Sequence, residues 1–512
     1  MIAKALERFL KWALLEWRVL SLDAKVVGVF AVANWLMLFA NHTTVAATRD
    51  VPLWQLFPLG ADVLFLTACG VLAVTYPLRD RRSRAAFTMR DRAIHLAATI
   101  AMFVVVPTLV SIVLRETGKP YTYIHDGALM VEEAARKFLG GMNPYVADYL
   151  DTPMFFWPMI NNPALYHLTY FPFMFLLAAP FVWVFDHAGI PWDQRYLYLP
   201  AFLGTLALVP LLVKDAQQRL AMAAVLALNP QLFPFVVEGR NDFFVLFFLF
   251  AGVALLMRER RGLASLAFAA AGGAKLHALL ILPFVALYLV ATRRPRSLAG
   301  AVRALAPAWP GAIFLVATFV PFLVNDLGAF YDDVVRYNAG GAAWTYPISG
   351  MGFSALLLTL GIIPYRQADF PFAAIEIAVA TPLAVWWLLR LWRTPTIPTL
   401  LAGYALTLLA FLFFGRYFQG NYLGFIAAVF TPVPFLAAQR QTRARRRAGL
   451  PPSRVRGVAA ARGSLRPANS LAPSPAPIGQ PAAVPIPPVP EPVSVAVEAV
   501  AEPSPAGAAS AD

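Results

Sequence analysis

The chain predicts an all-α, polytopic membrane fold, and three observations carry that prediction. Of its 512 residues, 59% are hydrophobic and only 14% are charged. The mean hydropathy is +0.62. Apolar runs close to the ~20 residues that cross a bilayer recur along the sequence, without the strict apolar–polar alternation of a transmembrane β-barrel. A formal charge of +14 raises nucleic acid as a partner. The basic residues, however, fall at the ends of apolar runs and in the C-terminal segment, which is the positive-inside pattern of a membrane protein. The single cysteine, Cys69, lies inside an apolar run and excludes an internal disulfide framework.

Taken in order, residues 1–24 mix Lys4, Arg8, Lys11 and Arg18 with Leu6, Phe9, Trp12 and Trp17, as suits an amphipathic helix lying at the membrane surface. Residues 25–92 supply two crossings, at about 26–40 and 60–78, and a loop whose six arginines between Arg79 and Arg92 place it in the cytoplasm. The run 93–114 then crosses outward, so the loop from Glu116 to Pro163 is extracytoplasmic. Further apolar runs occupy about 166–186, 196–213, 219–236, 242–258 and 262–292. Arginines flank the last of these at both ends, so Gly272-Gly273-Ala274-Lys275 marks the tip of two short helices that enter, turn and return. Counting crossings between 163 and 258 leaves one too many. Pro172 and Pro180 make 166–186 the expected half-inserted segment. A second outward loop follows 308–325, the run 354–363 is too short to span, and crossings at 372–389, 398–415 and 422–437 close the membrane part. Residues 438–512 begin Arg-rich, become rich in Pro, Ala, Val and Ser, and predict a disordered cytoplasmic tail. Both termini are expected inside, with the protein in the inner (plasma) membrane.

Within the first outer loop, Asp126 opens a stretch in which Ala128, Leu129, Ala134, Ala135, Phe138 and Leu139 alternate with Glu132, Glu133, Arg136 and Lys137 at helical spacing. Gly140, Gly141 and Asn143-Pro144 stop it. Asp126 is the only acid between Glu116 and Glu132. It is a candidate general base, and equally a candidate N-cap for its own helix.

His125-Asp126-Gly127, then GGMNPY at 140–145, YHLTYFPF at 166–173, EGRND at 238–242 and GGAKLH at 272–277 stand in an order that resembles the GT-C superfamily. Within it the pattern is similar to bacterial polyprenyl-phosphate-sugar-dependent mannosyltransferase-like proteins. The likeness covers about residues 95–435. It implies a GT-C-like membrane domain over 93–437, about 11–13 transmembrane helices in all, and juxtamembrane helices in the outer loops. It also implies inverting transfer of a sugar, mannose favoured, from a polyprenyl-phosphate donor to a glycan or glycolipid hydroxyl on the extracytoplasmic side.

The residues suit that chemistry. A carboxylate at Asp126 can take the acceptor's proton. The leaving phosphate needs cationic donors, and Lys275, His277, Arg240 and Arg416 are the candidates. Lys275 and His277 lie within an apolar stretch, where a charge costs roughly 2.5–3.5 kcal/mol; the alternative for Lys275 is to snorkel from the hairpin tip to the interface. His125, Tyr145, His167, Tyr170 and Asp242 are candidates for contacting substrate. Asp126, Glu238 and Asp242 could together hold a divalent cation. With no Asp-x-Asp triplet and several basic residues at hand, the expectation is a site with no cofactor and no metal. Tyr149, Phe155, Phe156, Trp157, Tyr166 and Trp344 add ring faces for a sugar, although an interfacial aromatic belt predicts the same residues. Two other classes fit the same run of helices: a polytopic transporter or flippase of lipid-linked glycans, and a non-catalytic envelope assembly factor.

Overall fold

The computed structural model describes residues 17–41, 61–159 and 162–448. Most of the interfacial helix expected at 1–24, and the tail from 449 onward, lie outside the described residues. Those described are almost entirely helical, and their only strands are the two-residue pair Ser349–Gly350 and Tyr417–Phe418, which run parallel. Seven described helices are long and apolar enough to cross a membrane: Val63–Arg82, Met89–Thr117, Arg195–Leu212, Leu276–Arg293, Leu298–Asn325, Phe372–Arg393 and Gly420–Arg446. Pro172–His187, Asp242–Leu256 and Ile397–Phe413 are shorter apolar helices. Outer side chains such as Leu64, Ile313, Val316, Val324 and Leu389 are apolar and exposed, as expected of a bundle whose solvent is lipid.

The helices are tied at one end by buried polar groups. Arg92 pairs with both Asp23 and Asp80, and the Tyr76 hydroxyl donates to Asp23. These contacts hold Leu22–Asn41 and Ala61–Arg82 against the start of Met89–Thr117. Asn34, midway along the first of these helices, donates to the carbonyl of Leu228, so the N-terminal pair packs directly on the helix Ala216–Leu228.

The segment expected to be half-inserted forms one helix, Pro172–His187, shorter than the membrane-length helices. Pro172 starts its helix at the first position and Pro180 is accommodated within it. At its start the Phe171 and Phe173 amides donate to the carbonyls of Ala274 and Gly273. At its far end Asp186 pairs with Arg136, and just beyond, Asp193 pairs with Arg115. The helix therefore lies alongside the outer-loop helix Asp126–Leu139. The same two amide bonds hold the turn at 273–275, where Arg261–Gly272 ends and Leu276–Leu279 begins, as the repeated glycines predict.

Three boundaries differ from the sequence expectation. The run 219–236 is not one helix: it stops at Leu228, Asn229 accepts from the Gln231 amide, and a short helix restarts at Phe233–Glu238. Pro230 and Pro234 remove amide donors there, which explains the break. The last helical segment, Pro432–Arg447, carries on well past 438, because its arginines are good helix formers following an apolar turn. Finally, the charged residues Glu132 and Glu133 of the helix Asp126–Leu139 are buried, Glu132 fully and Glu133 almost fully. Both find cations: Glu132 takes Arg115 and Glu133 takes Arg136.

Candidate active site

The outer-loop helix begins with His125, not Asp126, as its N-cap: the imidazole Nδ1 lies 3.0 Å from the Gly127 amide. Asp126 is the first helical residue; its Oδ1 also accepts from the Gly127 amide, at 2.7 Å, and the carboxylate stands in the positive field of the helix N-terminus. The same His125 Nδ1 lies 2.7 Å from Asp126 Oδ1. A protonated ring donates to the carboxylate, and an unprotonated one accepts from Gly127. The His125 amide donates to the Glu238 carbonyl, which fixes this corner against the short helix Phe233–Glu238.

Asp126 opens into a cavity of about 590 Å³. Its walls come from segments far apart in sequence. His125, Asp126 and Gly127 come from the start of the helix Asp126–Leu139, Tyr170 from YHLTYFPF, Glu238 and Arg240 from EGRND, and Lys275 and His277 from the turn after Arg261–Gly272. Arg416, Tyr417, Asn421 and Tyr422 come from the GRYFQGNY segment, and Tyr337 and Asn338 from the loop that follows Trp309–Asn325.

The cations are held by specific partners. Arg240 donates from Nε to Glu238 and from Nη1 to Asn421, with its guanidinium over the Phe235 ring. Lys275 Nζ is 3.1 Å from Asp242, whose other oxygen accepts from Asn421. Lys275 thus sits inside the site, not out at an interface. His277 is buried beside Phe425, and its Nε2 meets no hydrogen-bond partner. Arg416 is largely committed to the backbone, donating to the carbonyls of Tyr346, Ala368 and Arg366. Three of its five N–H groups are used in this way, so it braces the wall more than it serves a ligand.

Burial pushes the Asp126 carboxyl up, but His125 and Arg240 outweigh it and hold the acid below the usual carboxylate range. It is therefore ionised at neutral pH. Arg240 loses to burial but gains more from Glu238, Asp242 and Asp126, and its proton is held more tightly than usual.

Three expected contact residues lie off the cavity wall. Tyr145 packs among Phe175, Phe322 and Phe330 and donates to the Tyr170 carbonyl. Asp242 stands behind Lys275 as its counter-ion. His167 joins Asp333 in the second outer loop, with Nδ1 2.7 Å from Oδ1, while Nε2 lies 2.5 Å from the Ala343 carbonyl. Of the candidate stacking aromatics, Trp157 and Tyr170 line the cavity, whereas Tyr166 and Trp344 stack on each other. Among the described residues, no group of three His, Cys, Asp or Glu side chains is placed to hold a metal ion. The sequence reading passed over Asn338, Tyr417, Asn421 and Glu376. Of these only Glu376 carried a visible signal, a single acid within the apolar run 372–389.

The His167–Asp333 pair makes a pH prediction. His167 Nε2 must donate to a carbonyl while Nδ1 faces a carboxylate that also accepts from the Leu168 amide. Both contacts are made only if the pair carries one proton beyond neutral histidine plus carboxylate. Burial pulls His167 down, but the bonds to Asp333 and Ala343 raise it above its ordinary value. Burial pushes Asp333 up to about 6 against the pull of His167. Both groups bind protons more tightly when folded, so the stability they contribute is full at low pH. It is lost as pH rises from about 4 through 6 and past the ordinary histidine value of ~6.5. Measured relative to the intrinsic, base-catalysed exchange rate at each pH, amides in 326–346 should be more protected at pH 5 than at pH 8. In His167→Ala that difference should shrink, and an unchanged difference would contradict this account.

A second prediction concerns Gly127. A Cβ there would lie 2.1 Å from the Tyr170 hydroxyl. Gly127→Ala must therefore push Tyr170 or the helix N-terminus aside. A loss of about 1–3 kcal/mol is expected in thermal unfolding, and an unshifted transition would show that the two segments do not meet so closely.

No family model, no curated protein and no solved structure matches this chain.

Proposed function

We propose that the protein is an integral membrane glycosyltransferase of GT-C type, moving a sugar from a polyprenyl-phosphate donor to an acceptor hydroxyl. One observation carries the reading: an ionised carboxylate on a loop-helix N-terminus and the cations Arg240 and Lys275 line one cavity, although they come from distant parts of the chain. In the reaction Asp126 takes the acceptor's proton as the new bond to the anomeric carbon forms from the opposite face. The bond from that carbon to the phosphate oxygen breaks, and its electron pair leaves with the phosphate, whose charge Lys275 and Arg240 stabilise. The configuration inverts. His125 Nδ1, 2.7 Å from Asp126 Oδ1, holds that carboxylate in place.

A second, apolar cavity of about 760 Å³ supports a lipid-borne donor. Leu383, Trp386 and Trp387 line it from Phe372–Arg393, the same helix that gives Ala373 and Ile377 to the polar cavity. A polyprenyl chain lying there would bring its phosphate toward the cations. The seven membrane-length helices among the described residues support a multi-pass protein of the kind the reading requires. The arginine clusters support an extracytoplasmic site in a plasma membrane. Mannose is the sugar, and a glycan or glycolipid the acceptor, that the resemblance favours.

The test is to incubate the purified protein with a panel of polyprenyl-phosphate sugars and an acceptor, and to measure free polyprenyl phosphate. Release with at least one donor is expected. No release with any, together with movement of lipid-linked sugar across sealed vesicles, would replace this reading with a transporter.

A further inference from the structure

The acids that line or back the cavity have partners, with one exception. Asp126 has His125, Glu238 has Arg240, and Asp242 has Lys275 and Asn421. Glu376, from the helix Phe372–Arg393, lines the cavity beside Ala373, Ile377, Phe411 and Leu412. Among the described residues it makes no hydrogen bond and no ion pair.

Its berth is shaped for it. A Cβ built on Gly415 would stand 2.3 Å from Glu376 Oε1, so the carboxyl occupies the space that any side chain at 415 would need. Arg416, the next residue, gives its guanidinium to backbone carbonyls instead of to this acid. An unpartnered carboxyl in a bilayer-length apolar helix is costly to keep. Among the described residues the buried acids Asp23, Asp80, Glu132, Glu133, Asp193, Asp242 and Asp333 all have ionic partners.

Building on the glycosyl-transfer reading, we propose that Glu376 is the carboxylate that recognises the sugar. It accepts hydrogen bonds from two adjacent hydroxyls, either of the sugar being transferred or of the acceptor. The two carboxylate oxygens match the spacing of a vicinal diol and are acceptors only. The apolar side chains around them exclude the water that would otherwise compete. A site built to bond a hydroxyl discriminates strongly against an analogue that lacks it, because its own polar group is then left buried and unpaired.

The experiment uses the full-length purified protein, the donor it turns over, and donors and acceptors each lacking one hydroxyl. In the unmodified protein one deoxy compound should show kcat/KM lower by about 10- to 100-fold, the range a charge-assisted hydrogen bond supplies. Glu376→Gln keeps the shape and loses an acceptor. It should lower kcat/KM for the natural compound by a similar factor, and the deoxy compound should fall little further. The KM that moves, donor or acceptor, tells which sugar is held. Glu376→Asp, which shortens the side chain but keeps the carboxylate, should recover part of the loss. The proposal is overturned if Glu376→Gln stays within twofold for all compounds, if the deoxy penalty is undiminished in that variant, or if only amino-bearing sugars respond. Transfer retained with such kinetics would remove Glu376 alone. Absence of transfer in the unmodified protein would remove the glycosyltransferase reading with it.

Discussion

Asp126→Asn should lower the release of polyprenyl phosphate by about 10²- to 10⁴-fold, the contribution of a positioned general base. The protein should remain folded. The two effects separate because His125 is the N-cap, and asparagine occupies the same volume and keeps a side-chain oxygen to accept from the Gly127 amide as Asp126 Oδ1 does. What disappears is the negative charge between His125 and Arg240, and with it the acceptor for the incoming hydroxyl's proton. Thermal unfolding in detergent should therefore shift little while turnover collapses. Turnover within a few-fold of the unmodified protein would remove Asp126 from the chemistry, and a variant that fails to insert would assign it a structural role instead.

Arg115→Met should cost about 3–5 kcal/mol, the penalty for stranding buried charges. Arg115 grips both oxygens of Glu132 at 2.9 and 2.6 Å, reaches Asp193 at 2.9 Å, and donates from Nε to the Pro120 carbonyl. Glu132 is 0% exposed and Asp193 1%. Arg195 completes the cluster: it forks onto Asp193 and donates to the carbonyls of Tyr123 and Val237. Tyr123 is held at φ +56, a left-handed conformation unfavourable for a tyrosine, and it stands three residues before Asp126. The same ions that join Met89–Thr117 to the loop helix and to Arg195–Leu212 therefore aim the carboxylate. Arg115→Met should lower both the unfolding temperature and turnover. Adding Glu132→Gln should restore part of the stability, because one stranded charge is removed. Strictly additive losses would show that the two side chains do not interact.

Much of the architecture was legible from composition and charge. Hydropathy placed the apolar helices to within a few residues, since a bilayer demands long apolar segments whatever their neighbours. The repeated glycines at 272–273 announced a turn, which the structure has between Arg261–Gly272 and Leu276–Leu279. What hydropathy could not show was the fate of Glu132 and Glu133. A charged face on a loop helix reads as solvated until a buried Arg115 is known to stand opposite.

The candidate site divides along the same line. Asp126, Arg240, Lys275 and His277 were conspicuous as ionisable residues at helix ends or within apolar stretches, where their cost calls for a reason. Tyr145, His167 and Asp242 carried the same signal, yet they serve as packing, latch and counter-ion. Asn338 and Asn421 are unremarkable as letters and matter only for where they stand.

By itself the sequence determined an almost all-helical chain with several membrane-length apolar helices and a polar segment around Asp126, because solvent preference is a property of each segment and can be read one segment at a time. Only the tertiary structure decided that the Asp126 carboxylate shares a cavity with Arg240, Lys275 and Glu376, and that Arg416 faces the backbone. Those are distances between segments far apart in the chain, set by how helices pack and how buried charges find each other. No local pattern of residues encodes them.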